Sequence, residues 1–318
     1  RYSTVGEFEL KCAPENLNLL SLGNLISKAG DNEAAFIETL LVESVEKELI
    51  TVRGRFLPSV LDRRIIWNTE LLDGDISSSI GQLMTNHLIA PQDTKRLIEK
   101  ISFESEVLNK EIFMQISYKN LLEVVTAITS ESATGLKGCL GFDGIILSLY
   151  EGIEQPYVFS KEFENLLSQN YTESIKDSAN LAKIAGEGEG EERKTVVLGD
   201  EAGLNRREIY VDARDLSLND YSSEKDYEDA LLLRGQEKLF DLRKRESFDA
   251  VANTNGNLRY RTDYDLGDVV TVKSKLLGIS KRLRITEIIE TYDENGMHVD
   301  LTFGNPLPTL GEKLKGVI

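Results

Sequence analysis

The chain has 318 residues and carries 54 acidic and 37 basic side chains, which gives a net charge of −17. This acidic balance argues against a protein that binds nucleic acids or anionic membrane surfaces. The length predicts about two domains and a core large enough to need no disulfides. No apolar run approaches the roughly 18 residues of a membrane span, so no membrane insertion is predicted.

The sequence begins at Arg1, and no apolar signal region follows it, so we expect native residues to precede it. Cys12 and Cys139 are too few for a disulfide framework. Both are expected to be reduced thiols, as in a protein that folds in the cytosol, and a single bridge between them is the alternative.

Residues 1–56 alternate apolar and polar side chains in short runs, which is typical of β-strands. They are predicted to form a first β unit, either a small antiparallel sheet or part of a barrel. The predicted strands cover residues 5–12, 24–26, 35–43 and 48–56, with turn signals at residues 14–16, at residues 30–32 and at Glu46-Lys47.

Residues 57–134 are predicted to form a mainly helical lobe. Pro58 falls in the first turn of a predicted helix over residues 57–64, where its missing N–H costs nothing. Apolar residues three and four positions apart predict amphipathic helices over residues 76–87 and 120–128.

Residues 135–222 are predicted to form an α/β lobe with hairpins. The glycine-rich tract at residues 186–192 reads as a hairpin tip between two extended arms. In chain order the predicted elements are a turn at 141–144, a strand at 145–150, a short helical turn opening at Phe159-Ser160, hairpin arms at 178–185 and 194–198, and a strand at 207–213.

Residues 223–256 are predicted to form a long helix. Ser223 and Asp226 fit a capping box at its start, and Gly235 interrupts an apolar stripe that begins at Tyr227. We expect this helix to continue to near Asn253.

Residues 257–318 are predicted to form a C-terminal β unit and a tail. A strand is expected within residues 264–272, followed by a hairpin of residues 284–292 and 297–304. Asn295-Gly296 is predicted to supply two positive-φ positions in the hairpin turn. Pro306 and Pro308 would block further strand pairing.

No set of side chains has the spacing of a catalytic, cofactor or metal site. Neither histidine lies in a zinc-ligand pattern, and the glycines of residues 186–190 alternate with glutamates that would repel phosphate. Acidic clusters form easily in such a chain, so we assign them no catalytic role. The candidates considered are His87, His298, the cluster of Asp263, Asp265 and Asp268, and the cluster of Glu208, Asp212 and Asp215.

Two arginine pairs are the candidate site residues. Arg63 and Arg64 follow Asp62, and Arg206 and Arg207 precede Glu208. One interpretation is structural ion pairing that joins sheet to helix. The other is pairing across a subunit interface, because arginine makes bidentate contacts with carboxylates.

Several tracts together resemble the tail hub proteins, also called baseplate hub or tail-associated proteins, of phages and prophages that infect Gram-positive bacteria. These are residues 1–10, 52–65, 159–166 and 206–213, and the C-terminal tract from Tyr264 to Gly304. The resemblance spans most of the chain. It implies an α+β fold class, with small antiparallel β-barrel-like units near both ends and helical and α/β lobes between them.

The resemblance also implies a structural role in the virion tail, for a protein made in the cytoplasm of the bacterial host. Hubs of this kind are similar to homotrimers whose β-barrels form a pseudo-sixfold ring. The implied partners are other copies of the chain, a tail tube or distal tail protein, and distal tip or receptor-binding proteins. DNA would pass through the hub without specific binding.

Two alternatives belong to other functional classes. The chain could be a tail-associated cell-wall hydrolase, which would require two carboxylates at a glycosidase spacing in a deep cleft. It could also be a glycan- or receptor-binding module, which would require exposed aromatic side chains beside acidic ones.

Overall fold

A computed structural model describes residues 1–44, 48–190 and 193–305, which form a mixed α+β fold built mostly of strands. The predicted fold class is confirmed. The chain forms two compact units: residues 1–160 with 257–288, and residues 161–256 with the residues from 289 onward. The predicted division into five segments stays a prediction. Glu46-Lys47, Glu191, Glu192, Pro306 and Pro308 lie outside the described residues.

The first unit begins with a four-stranded antiparallel sheet, and all four predicted strands are confirmed. They are β1 Glu7–Cys12, β2 Leu25–Ser27, β3 Ala34–Ser44 and β4 Glu48–Phe56. The strand order is β1-β4-β3-β2. Ile37, Ile50 and Val52 form the buried face of this sheet. Gly54 is required in β4, because a Cβ there would lie 1.8 Å from the carbonyl oxygen of Phe36.

A helical layer follows in the same unit. A 3-10 helix covers Leu57–Arg63, α1 covers Ile76–Met84 and continues as a π-helical turn over Thr85–Ile89, and α2 covers Leu121–Glu131. Side-chain oxygens of Asp75 and Asn120 accept hydrogen bonds from backbone N–H groups of the first turns of α1 and α2. The predicted helices in this region are confirmed.

Strands also occur in this region, and the sequence pattern did not predict three of them. These are β5 Glu70–Asp75, β6 Ile101–Glu104 and β7 Glu111–Ile116; β5 and β7 pair as a two-stranded antiparallel ribbon. Leu71-Leu72 and the run Ile112-Phe113-Met114 break the expected alternation, because the outward face of the ribbon also carries apolar side chains. β6 pairs with the predicted strand β9 Ile145–Tyr150, which also forms a hairpin with β8 Gly135–Leu140.

The first unit also contains β10 Glu154–Phe159, β16 Val269–Ser274 and most of β17 Ile279–Asp293. β10 is parallel to β16, and β16 is antiparallel to β17. The N-terminus joins these strands, because the Tyr2 N–H donates to the Thr286 carbonyl over 2.9 Å. The N-terminal segment and residues 257–288 therefore share one unit.

The second unit contains two β layers and the longest described helix. Its elements are β11 Leu166–Ser174, β12 Leu181–Ala185, β13 Thr195–Leu198, β14 Glu208–Asp212, α3 Glu224–Asp241, β15 Arg245–Ala252 and β18 Gly296–Asn305. β11, β15 and β18 pair antiparallel in that order. β12 pairs antiparallel with β13 and parallel with β14, and α3 packs on this sheet through Tyr227 and Leu231.

Helix α3 ends earlier than the sequence pattern predicted. Ser223 caps its start through a hydrogen bond from the Asp226 N–H, as expected. The helix stops at Asp241, however, and residues 245–252 form β15. Phe248, Ala250 and Ala252 are buried at every second position, and strand pairing on both sides of β15 outweighs the helical pattern.

The hairpin turn between β17 and β18 also differs from the prediction. In this described turn only Gly296 has a positive φ, of 111°, whereas two such positions were expected. The Asp293 carboxylate instead accepts a hydrogen bond from the Asn295 N–H over 2.7 Å, which stabilises a different turn geometry.

Among the described residues, no helix combines the length and apolar character needed to cross a bilayer.

Candidate functional site

The two histidines lie in different environments. His87 is buried, and its Nε2 lies 2.6 Å from a Glu70 carboxylate oxygen. Burial lowers the pKa of His87 below its ordinary value despite that carboxylate, which favours a neutral ring inside the core. His298 is exposed near Asp293. In the part of the chain that the structure describes, no three His, Cys, Asp or Glu residues are grouped as a metal site.

The cluster of Asp263, Asp265 and Asp268 is a structural turn. The buried Asp268 carboxylate accepts hydrogen bonds from the Ile153 N–H, the Gln155 side-chain amide and the Asp265 N–H, at 3.0 to 3.1 Å. Asp263 accepts a hydrogen bond from the Arg259 N–H. Because Asp268 binds donors from both β10 and the segment before β16, it fixes these strands rather than supplying a catalytic acid.

The second acidic cluster is neutralised by arginines. Asp212 contacts Arg214 at 2.6 Å and Arg193 at 2.7 Å. The hydrogen bonds from Arg214, the largest favourable influence, lower the pKa of Asp212 to about 2. Asp215 contacts Arg234 at 3.0 Å. A carboxyl group with the lowered pKa of Asp212 is unsuited to be the general acid of a glycosidase.

The glycine-rich tract joins two strands, as predicted. It follows β12 and leads to β13, which run antiparallel, and its Glu187 N–H donates to the Tyr227 hydroxyl over 2.7 Å. A phosphate-binding loop would instead lead into the N-terminus of a helix.

The Arg206-Arg207 pair binds groups of its own unit. Arg206 forms an ion pair with Glu208, and it also donates to the Glu201 carbonyl. The Arg207 side chain donates to the Ile175 carbonyl over 3.1 Å. A role for these residues at a subunit interface stays a prediction.

The Arg63-Arg64 pair has no carboxylate partner among the described residues. Asp62 binds Arg55 instead, at 2.8 Å. The Arg63 guanidinium lies over the Phe36 ring, 4.3 Å from its centre. Arg64 donates through Nε and Nη2 to the Arg96 carbonyl. Burial, together with the nearby charges of Arg96 and Arg63, lowers the pKa of Arg64.

Arg96 completes this cluster, and the sequence pattern did not identify it. It donates to the Ile65 carbonyl over 2.7 Å, and its guanidinium lies 4.6 Å from the centre of the Trp67 ring. Arg96 is distant from Arg63 in sequence, so only the fold of the lobe brings them together. Asp93, which caps the turn containing Arg96, was the local signal available.

Exposed apolar side chains belong to the same segment as Arg63 and Arg64 or lie beside it. Trp67, the single tryptophan of the chain, is 50% exposed, and Tyr118 is 75% exposed. The Tyr118 N–H donates to the Ile66 carbonyl, which places Tyr118 beside this segment. We call this surface the Arg–Trp patch and define it as Arg63, Arg64, Ile65, Trp67, Arg96 and Tyr118. Arginine and aromatic residues are enriched at protein–protein interfaces, where they contribute much of the binding energy.

Comparisons with known proteins place this fold among phage tail proteins. A model of the family described as Siphovirus ReqiPepy6 Gp37-like protein matches residues 1–305. A tail protein from Neisseria meningitidis aligns over 95% of this chain and 88% of its own, with a TM-score of 0.59 and 14% identity. Sequence identities this low show a shared fold alone.

Two further solved structures share the fold. The 43 kDa tail protein of prophage MuSo2 from Shewanella oneidensis has a TM-score of 0.56 at 11% identity, covering 95% of this chain and 92% of its own. Prophage tail protein gp18 from Listeria monocytogenes has a TM-score of 0.56 at 12% identity, covering 99% and 90%. No curated protein matches the sequence closely enough to count as a relative.

Proposed function

Because the chain belongs to the Siphovirus ReqiPepy6 Gp37-like family, we propose that this phage tail protein forms the hub of the tail tip. In this role it joins the tail tube to distal tail proteins. The family match over residues 1–305 carries the proposal, and the fold shared with tail proteins along nearly the whole chain supports it.

The hub assembles from copies of the chain, as a homotrimer in which β modules line a central opening. Two features support this arrangement. The N-terminal sheet shares the first unit with β10, β16 and most of β17, so these β modules are held together in each copy. The net charge of −17 suits a conduit through which DNA moves, because an acidic wall repels the phosphate backbone.

The proposed role is geometric rather than enzymatic. Each carboxylate cluster with the composition of a glycosidase site is engaged by arginines or backbone donors. Purified protein is therefore expected to leave bacterial cell walls intact on zymograms.

The test is to express a tagged chain from the phage genome that encodes it and to purify the assembled tails. Cryo-electron microscopy should place a threefold-symmetric ring of the chain between the tube and the tip. Tails that assemble with the chain absent, or with it outside the central axis, would overturn the hub proposal.

A further inference from the structure

We propose that the Arg–Trp patch of one copy binds the acidic end of the β5–β7 ribbon of the next copy, head to tail. The inference rests on the proposed self-assembly and names the surfaces through which it occurs. It goes beyond the hub role, since a hub can be built from many different interfaces.

The cations of the patch have unused binding capacity. Within residues 1–44, 48–190 and 193–305, no carboxylate lies at ion-pair distance from Arg63, Arg64 or Arg96. At least nine of the 17 arginines in the chain contact a carboxylate, and the three arginines of the patch contact none in the described ranges. The Arg63 guanidinium lies over the Phe36 ring, and its N–H donors have no acceptor among the described residues. An arriving carboxylate can accept two of them.

The acidic surface lies at the other end of the same ribbon. Asp73 pairs with Phe113 and Asp75 with Glu111 across the two strands. The Ser77 hydroxyl donates to the Glu106 carbonyl over 2.6 Å, which holds Glu106 beside this end. No described cation forms an ion pair with Asp73, Glu106 or Glu111.

A depression at this acidic end can receive a side chain. Its volume is about 470 Å³, and Asp75, Val107, Asn109 and Glu111 line it. Val107 is 66% exposed, and Leu71 and Phe113 on the ribbon face are also exposed. This surface therefore combines carboxylates with apolar area, which complements the arginines and the tryptophan of the patch.

The separation of the two surfaces favours a contact between copies. The patch precedes β5 and the acidic end closes it, and β5 alone, from Glu70 to Asp75, spans roughly 17 Å. That distance exceeds the Debye length of about 8 Å at physiological ionic strength, so the two ends do not neutralise each other within one copy. A contact that uses one surface of each copy against the other surface of the next is heterologous and can close into a ring.

Other occupants fit the patch less well. Nucleic acid would meet the arginines but would be repelled by the acidic bulk of the chain. A small anion would leave Trp67, Ile65 and Tyr118 exposed to water. A protein surface with carboxylates beside apolar side chains satisfies both parts of the patch, and a second copy carries one.

Charge reversal on the full chain tests the contact. The patch variant is Arg63→Glu/Arg64→Glu, and the ribbon variant is Asp73→Lys/Glu111→Lys. Sedimentation velocity and native mass spectrometry should show that each weakens self-association by at least about tenfold. Combining all four substitutions should restore association. An equimolar mixture of the two variants should also associate, because each variant supplies the surface that the other lacks.

Matched controls separate this contact from general charge effects. Lys176→Glu/Lys183→Glu, at two exposed lysines of the second unit, changes the net charge by the same amount as the patch variant and should leave association unchanged. Arg63→Glu alone keeps the Arg64 bonds to the Arg96 carbonyl and should weaken association even if the double variant folds poorly. Circular dichroism and the melting temperature identify variants that do not fold.

The outcomes separate this inference from the hub proposal. If the variants assemble like the wild type, or the four substitutions together do not restore association, the head-to-tail contact is wrong. The contact is equally wrong if the wild type stays monomeric, or if the Lys176/Lys183 control weakens assembly as much as the patch variant does. In each of these cases the hub proposal still stands if the chain is found in the central ring of purified tails.

Discussion

Tyr2 is expected to be essential for the stability of the first unit. Its side chain is 2% exposed, and its ring packs edge to face on Tyr150 with centroids 5.3 Å apart. The Arg284 guanidinium lies 5.0 Å from the ring centre. The hydroxyl donates to the Ala133 carbonyl and accepts from the Gly152 N–H.

Replacing this side chain removes several interactions at once. Truncation of a buried aromatic residue costs about 3–5 kcal/mol, so Tyr2→Ala should lower the free energy of unfolding by that amount. At roughly 2–4 °C per kcal/mol for a domain of this size, the melting temperature should fall by about 6–20 °C. Tyr2→Phe keeps the ring but leaves the Gly152 N–H without its acceptor, and it should cost about 1–2 kcal/mol.

Urea denaturation followed by tyrosine and tryptophan fluorescence measures these changes. Tyr118→Ala is the matched control, because Tyr118 is 75% exposed and its removal should change stability by about 0.5 kcal/mol at most. If Tyr2→Ala lowered the free energy of unfolding by less than about 1 kcal/mol, Tyr2 would not be essential for stability, because truncation of a buried aromatic residue costs more than that.

Three further predictions concern single positions. Gly54→Ala should destabilise the first sheet by about 3 kcal/mol or more in chemical denaturation, because its Cβ would overlap the Phe36 carbonyl; unchanged stability would contradict this close approach. Asp268→Ala should lower the free energy of unfolding by about 2–4 kcal/mol in the same assay, because it leaves three hydrogen-bond donors unpaired. The control Asp293→Ala, at the exposed hairpin turn, should lower it by less than about 1 kcal/mol. The pKa of His87 is lower in the folded protein than in the unfolded chain, where it is about 6.5. The neutral His87 ring therefore contributes stability above pH ~6.5, and this contribution is lost as the pH falls through the pKa of the folded protein. Unfolding free energy should therefore decline below pH ~6.5 by up to about 1.4 kcal/mol per pH unit, and His87→Gln should flatten that slope.

Local signals accounted for most of the elements that the sequence predicted. Asn120 and Ser223 each cap the helix that follows, and both helices begin where expected. The strands β1 to β4 follow their alternation, because one face of their sheet is buried. Each of these features depends on residues within a few positions, so a short window of sequence contains the information.

Elements decided by distant partners were missed or misassigned. β15 was expected to continue α3, but its pairing with β11 and β18 comes from segments far along the chain. β5 and β7 lack alternation because Leu71 and Phe113 lie on an exposed face. A prediction that assumes apolar residues are buried does not detect strands such as β5 and β7, whose exposed face is also apolar.

In the candidate site, too, contacts between residues close in sequence were predicted and contacts between distant residues were missed. Arg206 and Glu208 form an ion pair at short sequence separation, and the sequence showed them close together. Arg63 and Arg64 were selected because they follow Asp62, yet that carboxylate binds Arg55. Arg96, which completes the Arg–Trp patch, reaches it only through the fold of the helical lobe.

The position of the chain in assembled tails, determined by cryo-electron microscopy, is the decisive measurement for the hub role. We expect a closed ring on the tail axis, between tube and tip, with the Arg–Trp patch of each copy against the β5–β7 ribbon of its neighbour. A chain found only at the tail periphery, or one that forms no ring, would contradict the hub role.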